Sequence, residues 1–366
     1  MTILYIAAAL GLSFLFVYAA VPTIITISKE KKLFDMPDER KLNKIAIPTI
    51  GGIAIFGGWI ISSLLCLQEN FVHGMQYLLV TMLLMFFVGL KDDIIVIVAW
   101  KKFAIQVCAA IVLVTLGDFG IINLSGLLGI TALEWWFSIP LSVLFILFLT
   151  NALNLIDGID GLASGLSILS SVVLGVWFYF IGSPGYATVC FALAGSLAAF
   201  ILFNLSNGKN KTFMGDTGSL VIGIFFSAIV IYFLNTSHLA NKSVAFLYPP
   251  VVALALFIVP VTDTLRVFFV RIKNKRSPFE ADMNHIHHWL IKGGMTHAQG
   301  TCFLIAYTIL FMLLALAFSY LEIGVTTSFV MVLSLSFILI ACIRRIIQAL
   351  EKKKGLPPSP EGQLSV

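Results

Sequence analysis

Runs of about twenty apolar residues recur along almost the whole chain, and no other feature constrains the fold so strongly. An α-helix rises ~1.5 Å per residue, so each run matches a hydrocarbon core roughly 30 Å thick. In hydrocarbon the backbone must satisfy its own hydrogen bonds, which leaves helices or a closed barrel. The short alternating segments of a barrel are absent. The sequence therefore predicts an all-α polytopic membrane protein with eleven spans. They fall at about 3–27, 49–67, 76–91, 103–117, 136–153, 162–181, 186–204, 218–234, 245–267, 302–320 and 325–346. A chain of 366 residues that is 59% hydrophobic and 11% charged excludes a soluble domain. The first span has no basic leader and no small-residue cleavage site, so it reads as a retained span. Cys66, Cys108, Cys190, Cys302 and Cys342 all lie in apolar runs without CxxC spacing, and read as small core residues.

Orientation follows from Lys and Arg. With the N-terminus outside, 22 of the 23 basic residues fall on the inner face and Lys242 alone falls outside. The net charge of +5 is thus a property of one face, set against anionic headgroups or substrates. No nucleic-acid partner is expected. Residues 1–348 read as one membrane domain, and 349–366 as a solvated tail on the same inner face as the basic loops. The outer loop Gly117–Trp135 carries Gly120, Gly126 and Gly129 and suits a small hairpin or a surface-lying segment.

The acidic, amide and imidazole groups concentrate in five inner segments. The first holds Asp35 and ends on Gly51-Gly52, which opens the second span and permits a close ligand or backbone. The second is Gly89-Leu-Lys-Asp-Asp93; adjacent carboxylates repel, so the pair suits a cation or a general base, or simply a solvated cap. The third, Asn151-Ala-Leu-Asn-Leu-Ile-Asp-Gly-Ile-Asp-Gly-Leu162, places Asn151, Asn154, Asp157 and Asp160 three apart, a stripe that winds round a helix before a glycine break. Polar groups there are expensive unless they bind something. The fourth runs from Asn204 through Lys209 and Lys211 to a Gly-Asp-Thr-Gly turn holding Asp216, a setting for phosphate or metal that is not a Walker A loop. The fifth joins Asp263, Arg266 and Arg271 to Asp282 and His285-Ile-His-His288. Those imidazoles suit proton transfer or phosphate binding, with metal ligation and a structural role as alternatives. His73, His238 and His297 stand apart from them.

Asn154-Leu-Ile-Asp-Gly-Ile-Asp-Gly-Leu162, Phe213-Met-Gly-Asp-Thr-Gly-Ser-Leu220 and His285-Ile-His-His288, in this order, resemble the polyprenyl-phosphate N-acetylhexosamine-1-phosphate transferases. The likeness runs from about residue 30 to 300. The His-x-His-His form is more similar to the N-acetylglucosamine branch than to the muramoyl-pentapeptide branch. The resemblance implies an enzyme of a bacterial inner membrane with its site on the cytoplasmic face. It moves a sugar 1-phosphate from a UDP-sugar, UDP-N-acetylglucosamine by branch, to undecaprenyl or another polyprenyl phosphate, and releases UMP. The product enters a cell-envelope glycan. Mg²⁺ is required and Mn²⁺ can substitute; a homodimer is allowed. By the same resemblance Asp216 and Asp157 are metal ligands, and Asp92, Asp93, Asp157, Asp160 and His285 are catalytic. Asp35, Asn154, Lys211, Phe213, Arg271, Asp282, His287 and His288 bind substrate, with Phe213 stacking on uracil. The loop Asn204–Phe213 departs from the family pattern, lacking a proline and carrying Lys209 and Lys211. A lipid phosphate is already an oxyanion, which favours its direct attack on the β-phosphorus over a phospho-enzyme route. An anion transporter would place its polar groups at the bilayer midplane and show inverted repeats. A scaffold protein would not need the histidine loop.

Overall fold

The computed structural model describes residues 1–35, 47–67, 74–206, 208, 210–237, 248–275 and 284–353. Thirteen helices occur among the described residues: α1 (Thr2–Lys31), α2 (Gly52–Cys66), α3 (Met75–Ile94), α4 (Ala99–Thr115), α5 (Trp135–Leu155), α6 (Leu162–Phe180), α7 (Pro184–Asn204), α8 (Gly215–Thr236), α9 (Pro249–Leu256), α10 (Ile258–Lys273), α11 (Ile286–Lys292), α12 (His297–Tyr320) and α13 (Val325–Lys353). Two short hairpins join them, β1 (Phe34–Asp35) with β2 (Ile47–Pro48) and β3 (Asn123–Leu127) with β4 (Ile130–Ala132).

The protein is an all-α polytopic membrane protein. Among the described residues seven helices, α1, α5, α6, α7, α8, α12 and α13, are long and apolar enough to cross a membrane. The count reaches eight if α9 and α10 form one span, bent by 77°. The sequence predicts one continuous ninth span there, but the chain breaks at Phe257. Helices α2, α3 and α4 stand where three further spans are expected; at 15 residues α2 reaches only about 22 Å. The break between α5 and α6 separates two helices, as the polar stretch there requires.

Helix α8 is the axis of the bundle, with α3 and α5 packed along it and α2, α6 and α9 also against it. It has no charged residue after Asp216 and is buried through nearly its whole length. Helices α1, α2, α6 and α7 form one flank, and α12 and α13 pack on α9 and α10 at the other. Buried aromatic side chains stitch the layers together: Trp59 of α2 packs edge-on to Phe225 of α8 and donates through Nε1 to the Val189 carbonyl of α7 at 3.0 Å.

The backbone approach expected at Gly51-Gly52 is present. Gly51 N–H donates to Phe213 O at 3.0 Å and Gly52 N–H to Met214 O at 2.9 Å. Neighbouring backbone therefore occupies these donors. At Gly52 an added Cβ would run into the Gly218 backbone, so α2 and α8 touch main chain to main chain.

Of the two readings of the segment 117–135, the hairpin is the one present, and it is tied to the bundle. Ser138 Oγ donates to Ile121 O at 2.7 Å, Asn235 Nδ2 to Gly120 O at 2.7 Å, and Leu128 N–H to Thr326 Oγ1 at 2.8 Å. All five cysteines are free thiols. Cys66 and Cys190 are core residues as expected, but Cys108, Cys302 and Cys342 are exposed on helix faces that carry other bare apolar side chains. An apolar run in a membrane helix does not say which face is inward, because lipid and core are equally apolar.

Substituting Gly52→Val should lower the melting midpoint in detergent, by the equivalent of about 1–3 kcal/mol for an overpacked contact. Gly57→Ala, whose added carbon meets a movable Phe16 ring, should not. Equal midpoints for both variants would contradict the α2–α8 contact.

Candidate active site

The polar groups gather at the end of the bundle opposite the β3–β4 hairpin, around residues 156–161 between α5 and α6. Helix α5 ends as the glycine break begins, and its last turns aim Asn151 and Asn154 inward. Asn151 Nδ2 donates to Gln106 Oε1 of α4 at 2.8 Å. Asn154 Nδ2 donates to Asp216 Oδ1 at 2.6 Å and to Ser219 Oγ at 2.8 Å.

Asp216 is held from a second side. Lys102, in the first turn of α4, lies 2.6 Å from Asp216 Oδ2 and 2.9 Å from Asp92 Oδ2. One ammonium thus bridges two acidic motifs more than a hundred residues apart. Asp92 Oδ1 also accepts from Ile97 N–H at 2.6 Å, which folds the α3–α4 connection over the pair.

Asp93 does different work from Asp92. Its Oδ1 accepts from Asp216 N–H at 2.8 Å, and its Oδ2 from Thr217 N–H at 2.9 Å and Thr217 Oγ1 at 2.5 Å. A carboxylate supplied by α3 therefore caps the N-terminus of α8, satisfying orphan donors and complementing the helix dipole. Gly215, at φ +69°, makes the left-handed turn that brings those donors to Asp93, and a side chain there would strike its carboxylate. The resemblance gives both aspartates of the pair a catalytic role; in the fold both oxygens of Asp93 also accept from the start of α8.

Asp157 lies among these charges. Burial, then the charges of Asp216, Asp93 and Asp160, pushes its carboxyl up to about 7. Like charges gathered this closely favour either a proton or a cation. Among the described residues no three His, Cys, Asp or Glu side chains form a metal cage.

On the other side of the loop, Asp160 Oδ2 accepts from Lys211 Nζ at 2.6 Å and from His297 Nδ1 at 2.7 Å. Burial raises the Asp160 carboxyl, but the His297 and Lys211 hydrogen bonds outweigh it and hold the group below the usual carboxylate range. Lys211 also lies over the Phe213 ring, 5.7 Å from its centroid. His297, set apart in the sequence reading, is therefore part of this cluster: α12 begins at His297 and carries it back to the loop.

The third group surrounds the histidines. Asp263, 1% exposed in α10, accepts from His285 at 2.8 Å between Oδ2 and Nδ1, and from Ile286 N–H at 3.0 Å on Oδ1. Arg266 Nη2 donates to Oδ1 of the same carboxylate at 3.0 Å and also to Asn284 O. The Arg266 guanidinium lies 4.0 Å and that of Arg344 4.5 Å from the Trp289 ring centroid, so α10 and α13 both grip α11 through one indole. His287 stacks on His285 with the rings 5° from parallel and rests on Gly158, where a Cβ would overlap its ring. Burial, then the charges of His288 and His285, holds His287 well below the ordinary imidazole range.

Most of the residues singled out from the sequence thus meet at or beside one loop. Asp92, Asp93, Asn154 and Asp216 are joined by hydrogen bonds or by Lys102, and Asp157 by charge. Asp160, Lys211 and Phe213 form the second group, and His285, His287 and His288 the third. His288 lies 4.3 Å from His287, ring centroid to ring centroid. Arg271 is buried in the last turn of α10. Asp35 pairs through its backbone with Ile47, next to Pro48, whose carbonyl accepts from Phe213 N–H at 2.8 Å. Asp282 and Lys209 lie outside the described residues. Lys102, His297 and Asp263 received no role from the sequence. Asp263 carried a signal, a carboxylate inside an apolar run; Lys102 and His297 gain meaning only from tertiary neighbours.

A helical membrane protein with an acid-rich site at one end of its bundle is the class these features define. The chain belongs to the family described as glycosyl transferase family 4, which matches residues 75–234. Among its relatives, the undecaprenyl-phosphate alpha-N-acetylglucosaminyl 1-phosphate transferase of Escherichia coli (strain K12) is 30% identical over 285 residues, covering 75% of this chain and 73% of that protein. The Yersinia pestis protein of the same name is 31% identical over 306 residues, 82% and 80% of the two chains. A Bacillus subtilis (strain 168) protein, named a probable undecaprenyl-phosphate N-acetylglucosaminyl 1-phosphate transferase, is 32% identical over 295 residues, 80% and 79%. The family resemblance carried by the motifs is borne out.

Asp93→Ala should lower the melting midpoint, because uncapping α8 costs about 0.5–2 kcal/mol. An unchanged midpoint would show that α8 holds its first turn without this carboxylate.

Proposed function

We propose that the protein transfers a sugar 1-phosphate from a UDP-sugar to a polyprenyl phosphate and releases UMP, with N-acetylglucosamine as the sugar. The observation that carries this reading is the meeting of Asp92, Asp216 and Asn154 around Lys102. A reaction between two phosphates needs charge screening and alignment above all, and this cluster supplies cation, carboxylates and amide in one place. The names of the relatives support both the lipid and the sugar.

In the proposed reaction a phosphate oxygen of the lipid forms a bond to the β-phosphorus of the donor. The bond from that phosphorus to the bridging oxygen breaks, and UMP leaves with the oxygen and its electron pair. Lys102 screens charge between the two phosphates. Asn154, itself anchored on Ser219, holds Asp216 in place. Asp263 fixes the His285 tautomer by accepting from Nδ1–H, so that Nε2 is the free nitrogen for the phosphates. A buried neutral His287 packs the histidine segment onto the loop.

Asp216 and Asp157 would hold Mg²⁺, or Mn²⁺, which when bound screens the diphosphate and polarises the phosphorus under attack. The donor set suits such an ion. Mg²⁺ commonly takes one or two carboxylates, with phosphate oxygens and water completing its shell. The Asp216 oxygens accept from Lys102 and Asn154, yet each carboxylate oxygen has a second lone pair. The crowding that pushes up Asp157 is relieved by a cation.

The same reading places eleven spans in a bacterial cytoplasmic membrane, N-terminus outside and site on the cytoplasmic face, with a cell-envelope glycan as destination.

Membranes containing the protein, given radiolabelled UDP-N-acetylglucosamine, undecaprenyl phosphate and Mg²⁺, should form a chloroform-soluble sugar lipid. Asp216→Asn should abolish the product while the protein still inserts. Absence of product from several UDP-N-acetylhexosamines would contradict the function, and near-normal turnover by Asp216→Asn would contradict the metal assignment.

A further inference from the structure

Asp160 is 8% exposed and its two oxygens are used unequally. Oδ2 takes both cationic or polar partners, Lys211 Nζ at 2.6 Å and His297 Nδ1 at 2.7 Å. Oδ1 is buried and has no hydrogen-bond partner among the described residues. A buried polar atom left unpaired is unfavourable, and more so on a charged group. An N–H or O–H of a ligand would complete it.

The backbone around Asp160 is held by neighbouring elements, His297 Nδ1 among them at 3.4 Å from Asp160 N. Thr301 Oγ1 of α12 donates to Asp160 O at 2.8 Å, and Gly161 N–H donates to Asn204 Oδ1 of α7 at 2.6 Å. What remains to be set is the rotation of the carboxylate. Lys211 alone would set it loosely, since an ammonium on a four-carbon stem follows its partner. His297 is stiffer. It is the first residue of α12, and the turn that carries it is locked by a capping box in which Thr296 Oγ1 accepts from Gln299 N–H at 3.3 Å and Gln299 Oε1 accepts from Thr296 N–H at 2.9 Å.

We infer that His297 is a positioning residue for the donor nucleotide: from the capped start of α12 it holds Asp160 in the rotamer that leaves Oδ1 free for a uridine N–H or O–H. His297 itself does not touch the substrate in this arrangement. Lys211, on the same carboxylate and over the Phe213 ring, places an aromatic face in the same cluster, which suits a planar base. His297 lies outside the 75–234 segment that matches the family. The inference rests on the UDP-sugar reading above.

The test uses the full-length protein in detergent, with UDP and UMP as probes in isothermal titration, followed by turnover with both substrates. His297→Leu removes the donor; His297→Asn keeps an N–H at the position of Nδ1. Loss of one positioning hydrogen bond to a charged group predicts about tenfold weaker UDP binding by His297→Leu. His297→Asn should bind within about threefold of the unsubstituted protein. The KM for donor should rise with the Leu variant, while kcat at saturating donor and the KM for polyprenyl phosphate stay within about twofold. Unchanged UDP affinity in His297→Leu would overturn the inference and leave the proposed function standing. So would a parallel fall in kcat and in affinity for both substrates that His297→Asn fails to restore, since that pattern marks a purely structural role. If the unsubstituted protein binds neither UDP nor UMP, the donor reading falls and the role of His297 with it.

Discussion

A carboxylate taken out of water is unstable unless cations or hydrogen-bond donors replace its hydration. Here Asp92, Asp93, Asp160, Asp216 and Asp263 each find those partners on other elements of the chain. Lys102 of α4 serves Asp92 of α3 and Asp216 of α8. The first turn of α8 serves Asp93. Lys211 and the start of α12 serve Asp160, and Arg266 with His285 serves Asp263. Since the pairings of Asp93, Asp160 and Asp216 join elements distant in sequence, the site cannot form until the bundle has, and the end of the bundle is fixed by the site's own charges.

The loop between α5 and α6 is where the pairings meet. Asn154 before it reaches Asp216, Asp157 within it feels the carboxylates of α3 and α8, Gly158 carries His287, and Asp160 ties to α12 and to the α7–α8 connection. In the function proposed above, Lys102 is the centre of the phosphate-handling group and Phe213 that of the base-binding group, while the imidazoles at α11 are held through Trp289 between α10 and α13. A diphosphate donor and a lipid phosphate can share such a site because the loop contacts all three groups.

The bundle itself was largely legible in the chain. Apolar runs of membrane length locate the long helices, and Gly51-Gly52 announces a close backbone contact, because both depend on local composition. The bend at Phe257 was not legible: an uninterrupted apolar run looks the same whether its helix is straight or broken. The motif carboxylates were also visible, since charge in a greasy region stands out. Their division of labour was not. Asp92 and Asp93 are adjacent and chemically identical in the sequence, and only the approach of the α8 N-terminus makes one a helix cap and the other a partner of Lys102. His297 failed to register for the same reason, its partner lying 137 positions away.

The central claim is that the bond broken lies between the two phosphorus atoms of the donor, so that phosphate travels with the sugar. A donor labelled with ³²P at the β-phosphorus and ³H in the sugar measures this directly. The account predicts that the lipid product carries both labels in the donor's own ratio, with UMP as the released nucleotide. A lipid product bearing ³H without ³²P, accompanied by UDP, would mean that sugar alone is transferred and would contradict it.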